Sequence, residues 1–280
     1  MKKKIIVALL LCLITLTSVF AFAGCEKYLN NETLKGYDVD LAKAVAQELG
    51  VEIKFLEINW NKKIIELNSG NIDLIWNGMT ILDSLKTEME ISNPYMSNKQ
   101  VCVVKKENAS KYNSLDAMKG ANFTYELGSS AETWAINNGF AGEFSGKDTQ
   151  MMAMTDVLSG SSDVAVVDLL LANFYTTSNS SFANLTPTIT LTEESYGIGA
   201  KKGNVALMDK ICTAIMKLQE NGTVNEIAKK YGLEERVIDL NYTSKWDSLT
   251  DEDKANWNKI QEKGYFVVGC TIYAPMTYTD

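Results

Sequence analysis

Gly36-Tyr37-Asp38-Val39-Asp40-Leu41-Ala42-Lys43-Ala44-Val45-Ala46-Gln47-Glu48-Leu49-Gly50-Val51-Glu52-Ile53-Lys54-Phe55 carries two periodicities side by side. Val39, Ala42, Val45, Ala46 and Leu49 recur at the spacing of one helical face, which predicts a helix over Asp38–Leu49. Gly50 stands just past it, where a helix accepts a left-handed glycine. Val51 to Phe55 then reads as a strand. Downstream, the same alternation continues. Helices are expected over Trp60–Leu67, from Ser130, over Met151–Leu158, Val205–Glu220 and Val224–Lys230. Strands are expected over Ile72–Trp76, Gln100–Val104, Asn122–Tyr125, Val164–Val167 and Gly197–Ala200. Strands alternating with helices predict an α/β fold with mostly parallel sheets.

Composition narrows the function. The 280 residues are 46% hydrophobic, enough for a sizeable core. Histidine is absent, and with it the commonest general base and metal ligand. Arg236 is the single arginine. The formal net charge of −8 becomes about −11 once Lys2, Lys3 and Lys4 are removed with a targeting segment. No basic cluster follows them, so nucleic acid is not an expected partner. There is no G-x-S-x-G motif and no phosphate loop, so no enzymatic activity and no cofactor are expected.

The N-terminus combines a cationic start, an apolar run from Ile5 to Phe22, and the small residues Ala23 and Gly24 before Cys25. That pattern describes a secretory signal peptide over 1–24. It resembles a bacterial lipoprotein signal, which implies a lipidated Cys25 and an anchor on the outer face of the cytoplasmic membrane. The rival reading is an uncleaved membrane span. Cys12 leaves with the signal. Cys102, Cys212 and Cys270 read as buried small apolar residues, and their pairing is not deducible from spacing.

From Asn241 to Lys263 the chain turns polar and charged, with Trp246 and Trp257 as anchors, and reads as a linker with some helix. Tyr265-Phe266-Val267-Val268-Gly269 after it is a buried-strand pattern with no following helix.

Five blocks resemble the polar amino-acid-binding proteins of ABC importers, family 3 solute-binding proteins of the type II periplasmic-binding fold. They are the Gly36 to Val45 block, Gly78-Met79-Thr80 followed by Ser92-Asn93-Pro94-Tyr95, Gly128-Ser129-Ser130, Val166-Val167-Asp168, and Asn221-Gly222-Thr223 with Tyr231-Gly232. The resemblance implies a two-lobed α/β protein that takes an amino acid or related amine in an interlobe cleft and hands it to permease and ATPase subunits. A monomer is expected. A ligand-sensing receptor domain is the alternative. In the family, a strand like Phe266–Gly269 and a segment like Tyr273-Ala274-Pro275-Met276-Thr277-Tyr278 come first and lead into the Gly-Tyr-Asp block. Here they come last, and Asp280 reads on into Asn31. A circular permutation is therefore expected, with 241–263 bridging the old termini; the rival is one piece of a tandem array. Lobe one would hold 25–102 and 198–280, and lobe two 103–197.

The resemblance also implies the site. Asp168 pairs with the ligand's ammonium, or else caps the following helix. Ser129 and Ser130 begin a helix whose free N–H groups suit a carboxylate, or are a plain N-cap. Gly78, Met79 and Thr80 contribute backbone and hydroxyl contacts. Tyr273 stacks on the ligand, while Trp76 and Trp60 are either further apolar walls or core residues. The family carries an arginine seven residues after Gly78 to grip the ligand's carboxylate, and that position is Leu85. Two outcomes follow: the helix start with a lysine such as Lys86 compensates, or the ligand is an amine without a carboxylate and Leu85 lines its pocket.

Overall fold

A computed structural model describes residues 28–138, 144–177 and 180–279. The signal peptide, the lipidated Cys25 and the join at Asp280 lie outside the described residues. In chain order the elements begin with α1 (Tyr37–Leu49), β1 (Glu52–Glu57), α2 (Lys63–Ser69), β2 (Leu74–Thr80), α3 (Leu85–Glu88), β3 (Met89–Ile91) and β4 (Met96–Lys105). Next come β5 (Phe123–Glu126), α4 (Ser130–Asn138), β6 (Phe144–Lys147), α5 (Gln150–Ser159), β7 (Val164–Asp168) and α6 (Leu169–Tyr175). Then follow β8 (Leu185–Lys201), α7 (Val205–Glu220), α8 (Thr223–Tyr231), α9 (Asp251–Lys263) and β9 (Tyr265–Cys270).

The opening helix forms as its sequence dictates. Asp38 and Asp40 sit in the first turn, where the helix dipole favours acids, and the apolar face is buried. Gly50 adopts φ 69° and its N–H closes on the carbonyls of Ala46 and Gln47.

The strands lie in the order β1-β9-β2-β8-β4-β7-β5-β6, with β3 also on β8. β9 is thus an interior strand of its own chain, parallel to β1 (Ile53 opposite Phe266) and to β2 (Leu74 opposite Val268). Its buried apolar run suits a strand covered on both faces. The segment after it docks on the start of α1: Tyr37 N–H donates to Pro275 O at 2.9 Å, and Lys35 and Tyr278 exchange backbone bonds. Gly36, at φ 128°, passes so close that a Cβ would fall 2.1 Å from Met276 O.

β8 and β4 are neighbours in the middle of the strand order. β8 pairs with β2 and β3 at one end and with β4 along the rest, and β4 pairs in turn with β7. The expected lobe boundaries at 102/103 and 197/198 fall inside these two strands. Both are longer than their sequence signals, because their extensions include half-buried polar residues such as Ser97 of β4 and Thr188, Thr192 and Ser195 of β8. They also correct the expectation of mostly parallel sheets, since β4 and β8 lie antiparallel to each other and to β7, β2 and β3.

The segment read as a linker is part of the fold. α9 has a capping box between Thr250 and Asp253 and buries Trp257 and Ile260 in the core. Ahead of it, the buried Asp209 of α7 accepts from Tyr242 OH (2.7 Å), Ser244 OH (3.0 Å) and Lys245 N–H (2.6 Å). Trp257, an anchor already visible in the sequence, is joined in the core by Ile260, which the polar character of the segment masks. Cys102, Cys212 and Cys270 are buried free thiols.

Candidate functional site

The C-terminal end of β2 forms one wall of a narrow cleft. Gly78 adopts φ +59°, and a Cβ there would lie 2.5 Å from the Tyr273 ring, so the position demands glycine. Asp38, from the first turn of α1, holds this turn: its carboxylate accepts from Gly78 N–H at 2.7 Å and from Tyr95 OH at 2.8 Å. Burial pushes the Asp38 carboxyl up to about 7 against those two hydrogen bonds. Asn77 ties the same strand end to the C-terminal segment through Thr271 and Thr277.

The second wall comes from β7, β5 and the start of α4. Asp168, at the end of β7, is only 4% exposed. Its carboxylate makes no cap bond to α6. It accepts instead from Asn98, from Gln150, from Gln100 at 2.7 Å and from Tyr196 OH at 2.9 Å. Asn98 and Gln100 also donate to Glu194, at 2.7 and 2.8 Å. Burial, then the neighbouring Glu194 charge, hold the Asp168 carboxyl well above the usual carboxylate range. Tyr196 OH reaches on to Tyr273 OH at 2.5 Å, which links Asp168 to the C-terminal segment.

Gly128, Ser129 and Ser130 form the start of α4. Ser129 Oγ donates to Glu126 O (2.7 Å) and accepts Glu132 N–H (3.3 Å), while Glu132 reaches back to Gly128 N–H (2.7 Å). Ser129 therefore caps its helix and lines the cleft at once. Thr80 OH donates across the cleft to Ser130 Oγ at 3.2 Å, and Asn59 donates to Asp148 at 3.0 Å.

Of the residues singled out in the sequence, Asp168, Ser129, Ser130, Gly78, Met79, Thr80, Tyr273, Leu85 and Trp60 line this one cleft. Trp76 does not. Along β2 it alternates to the face of Leu74, and it lies in the core edge-on to Tyr95. Lys86 is also elsewhere, solvent-exposed and paired with Asp83 at 2.8 Å.

Sequence reading missed Lys63, Glu126 and Gln150, which also line the cleft. Lys63 is 5% exposed, and its Nζ donates to Gly128 O at 2.6 Å and to Trp60 O at 3.3 Å. Burial pushes Lys63 down to about 8, partly offset by the charges of Glu126 and Glu132. Burial likewise pushes Glu126 up to about 8, against the pull of Lys63 and a Gln150 hydrogen bond. A lysine inside a helical apolar pattern is the signal that was available: Lys63 stands at the start of α2 ahead of Ile64 and Leu67.

The profile of the bacterial extracellular solute-binding proteins, family 3, matches residues 21–234. The L-cystine-binding protein TcyJ of Escherichia coli (strain K12) is 28% identical over 212 residues, 76% of this chain and 77% of that protein. The ABC transporter glutamine-binding protein GlnH of Bacillus subtilis (strain 168) is 31% identical over 208 residues, 71% and 72% of the two chains. Among solved structures, an ancestral arginine-binding protein bound to arginine superposes with a TM-score of 0.65 at 33% identity, covering 70% of this chain and 87% of that one.

Proposed function

The chain belongs to the bacterial extracellular solute-binding proteins, family 3, and from that membership we propose that it captures an amino acid in its interlobe cleft for delivery to the permease and ATPase of an ABC importer. The family is one of extracytoplasmic binding proteins and not of enzymes. The observation that carries the reading is the convergence of a buried carboxylate, Asp168, and the start of α4 on one cleft. An anion faces the ligand's ammonium, and free N–H groups with the positive end of a helix dipole face its carboxylate. Gly78, Met79 and Thr80 line the lobe-one side, Tyr273 and Trp60 supply aromatic walls, and Leu85 an apolar one. Relatives named for cystine, glutamine and arginine support an amino acid as the ligand class. A thermal-shift screen against the common amino acids and cystine tests it, because a ligand that binds the folded state alone raises the melting temperature. No shift from any of them, in a protein that melts cooperatively, would reject the amino-acid reading.

Three finer features belong to the same proposal. A lipid on Cys25 anchors the protein outside the cytoplasmic membrane, supported by the Ala23-Gly24-Cys25 junction; mass spectrometry of the membrane fraction would reject it by recovering Met1. The protein acts as a monomer, with lobes 25–102 plus 198–280 and 103–197. The chain is a circular permutant of the family order. The interior position of β9, the docking of 273–278 on α1, and a family match that stops at 234 support that reading. A reordered variant, with 265–280 placed ahead of Asn31 and 241–263 deleted, tests it. It should fold and bind the same amino acids. A variant that folds only when a second copy supplies the strand would favour the tandem reading.

A further inference from the structure

The cleft has an ammonium partner in Asp168 but a leucine, Leu85, among the residues that would meet a carboxylate. Among the described residues that line it, Lys63 is the single cation. Its head group lies against the Gly128–Ser130 turn, with Nζ 2.6 Å from Gly128 O and 3.3 Å from Trp60 O. An ammonium has three N–H donors, and these two bonds leave one for a further acceptor. The charge is buried in a place that also receives the positive end of the α4 dipole. Two positive features converging in a low-dielectric pocket are costly unless an anion joins them. Glu126 and Glu132 are the titratable groups that face Lys63, from β5 and α4. Glu132 is engaged with Gly128 N–H, and Glu126 with Gln150.

We infer that Lys63 binds the ligand's carboxylate from the lobe-one wall and so sets the cleft's preference for α-amino acids over the corresponding amines. The inference rests on the amino-acid reading of the same site. It accounts for a zwitterion held without a guanidinium: Asp168 supplies one anion and Lys63 one cation across the cleft. Because Lys63 also bonds Gly128 of the opposite lobe, the same side chain couples carboxylate capture to contact between the lobes. At neutral pH the charge balance agrees, since burial holds Glu126 largely protonated, up to about 8.

Calorimetry on matched pairs tests this: L-arginine against agmatine, L-cystine against cystamine, and L-glutamine against 4-aminobutanamide. The variants are Lys63→Met, Lys63→Arg and the double Lys63→Met/Glu126→Gln, which removes both ionisable groups so that no buried carboxyl is left without its partner. The parent should prefer the amino acid of at least one pair by about tenfold to a hundredfold, the range of one hydrogen bond to a charged group. Lys63→Met and the double variant should lose that preference, and Lys63→Arg should keep most of it. Raising the pH from about 7 to about 8.5 should weaken amino-acid binding by the parent, because Lys63 loses its proton there while Glu126 becomes an anion. The Lys63→Arg variant should be less sensitive. A folded Lys63→Met or double variant that keeps the preference would overturn the inference. A parent that binds amines as tightly as amino acids would overturn it too, while leaving Asp168 as the ammonium partner. A parent that binds neither member of any pair would remove the amino-acid reading and this inference together.

Discussion

Asp168→Asn removes the charge at the centre of the cleft while keeping the size of the side chain. In the parent the carboxylate accepts from Asn98, Gln100, Gln150 and Tyr196 and stands beside Glu194. A ligand ammonium would be its only positive partner among the described residues lining the cleft other than Lys63 on the opposite wall. Truncating one member of a buried, hydrogen-bonded charge pair costs about 2–5 kcal/mol, so affinity for the best amino acid should fall by roughly thirtyfold to a few thousandfold. Stability should move the other way. Burial and Glu194 raise the folded-state carboxyl above its unfolded value. A raised acid favours folding only while protonated, so its contribution worsens as pH rises from the unfolded pKa through the folded one. Above the unfolded pKa the carboxyl therefore costs the fold stability relative to a neutral isostere. The apo variant should melt at or above the parent near pH 7 and show no such advantage near pH 4. Calorimetry with the screened amino acid and differential scanning calorimetry without it measure the two effects. Undiminished affinity would refute the placement of the ammonium at Asp168. A melting point lower by more than about 5 °C, a loss above about 1 kcal/mol for a chain of this size, would refute the claim that this charge serves the ligand at the expense of the fold.

Gly78→Ala should destabilise by about 1–3 kcal/mol and weaken binding, because its Cβ meets the Tyr273 ring at 2.5 Å in a left-handed backbone; a variant that melts and binds like the parent would contradict the geometry of the β2 turn. Trp257→Ala should cost about 3–5 kcal/mol in urea denaturation, since Trp257 is 4% exposed in the core; a cost below about 1 kcal/mol would mean that α9 is an ornament on the fold. Adding a bound amino acid should shrink the radius of gyration in X-ray scattering as the lobes close on β4 and β8. An unchanged profile at saturation would count against closure.

Much of the molecule is written locally. The α1–β1 unit follows from apolar spacing and a terminal glycine, because helix and strand periods act over a few residues. Three short blocks, Gly78-Met79-Thr80, Gly128-Ser129-Ser130 and Val166-Val167-Asp168, contribute residues to the lining of one cleft, each from a strand end or a helix start. Trp76 shows the limit: alternation says that Trp76 and Met79 of β2 face opposite ways, but not which way the cleft lies. The lengths of β4 and β8 were hidden too, since half-buried threonines and serines look alike in a strand and in a loop.

Other features exist only once distant segments meet. β9 is apolar enough to be a core strand from its residues alone, yet its place between β1 and β2 is a matter of pairing across some two hundred residues. Lys63 becomes a cleft cation because α2 brings it to Gly128, and Glu126 becomes its neighbour because β5 ends beneath it. Its place ahead of Ile64 and Leu67 marks Lys63 as a lysine on an apolar face, but not as one that meets Gly128. Short-range sterics and apolar spacing are properties of adjacent residues, whereas burial of a charge is set by what the fold packs around it, and that is where this cleft acquires its electrostatics.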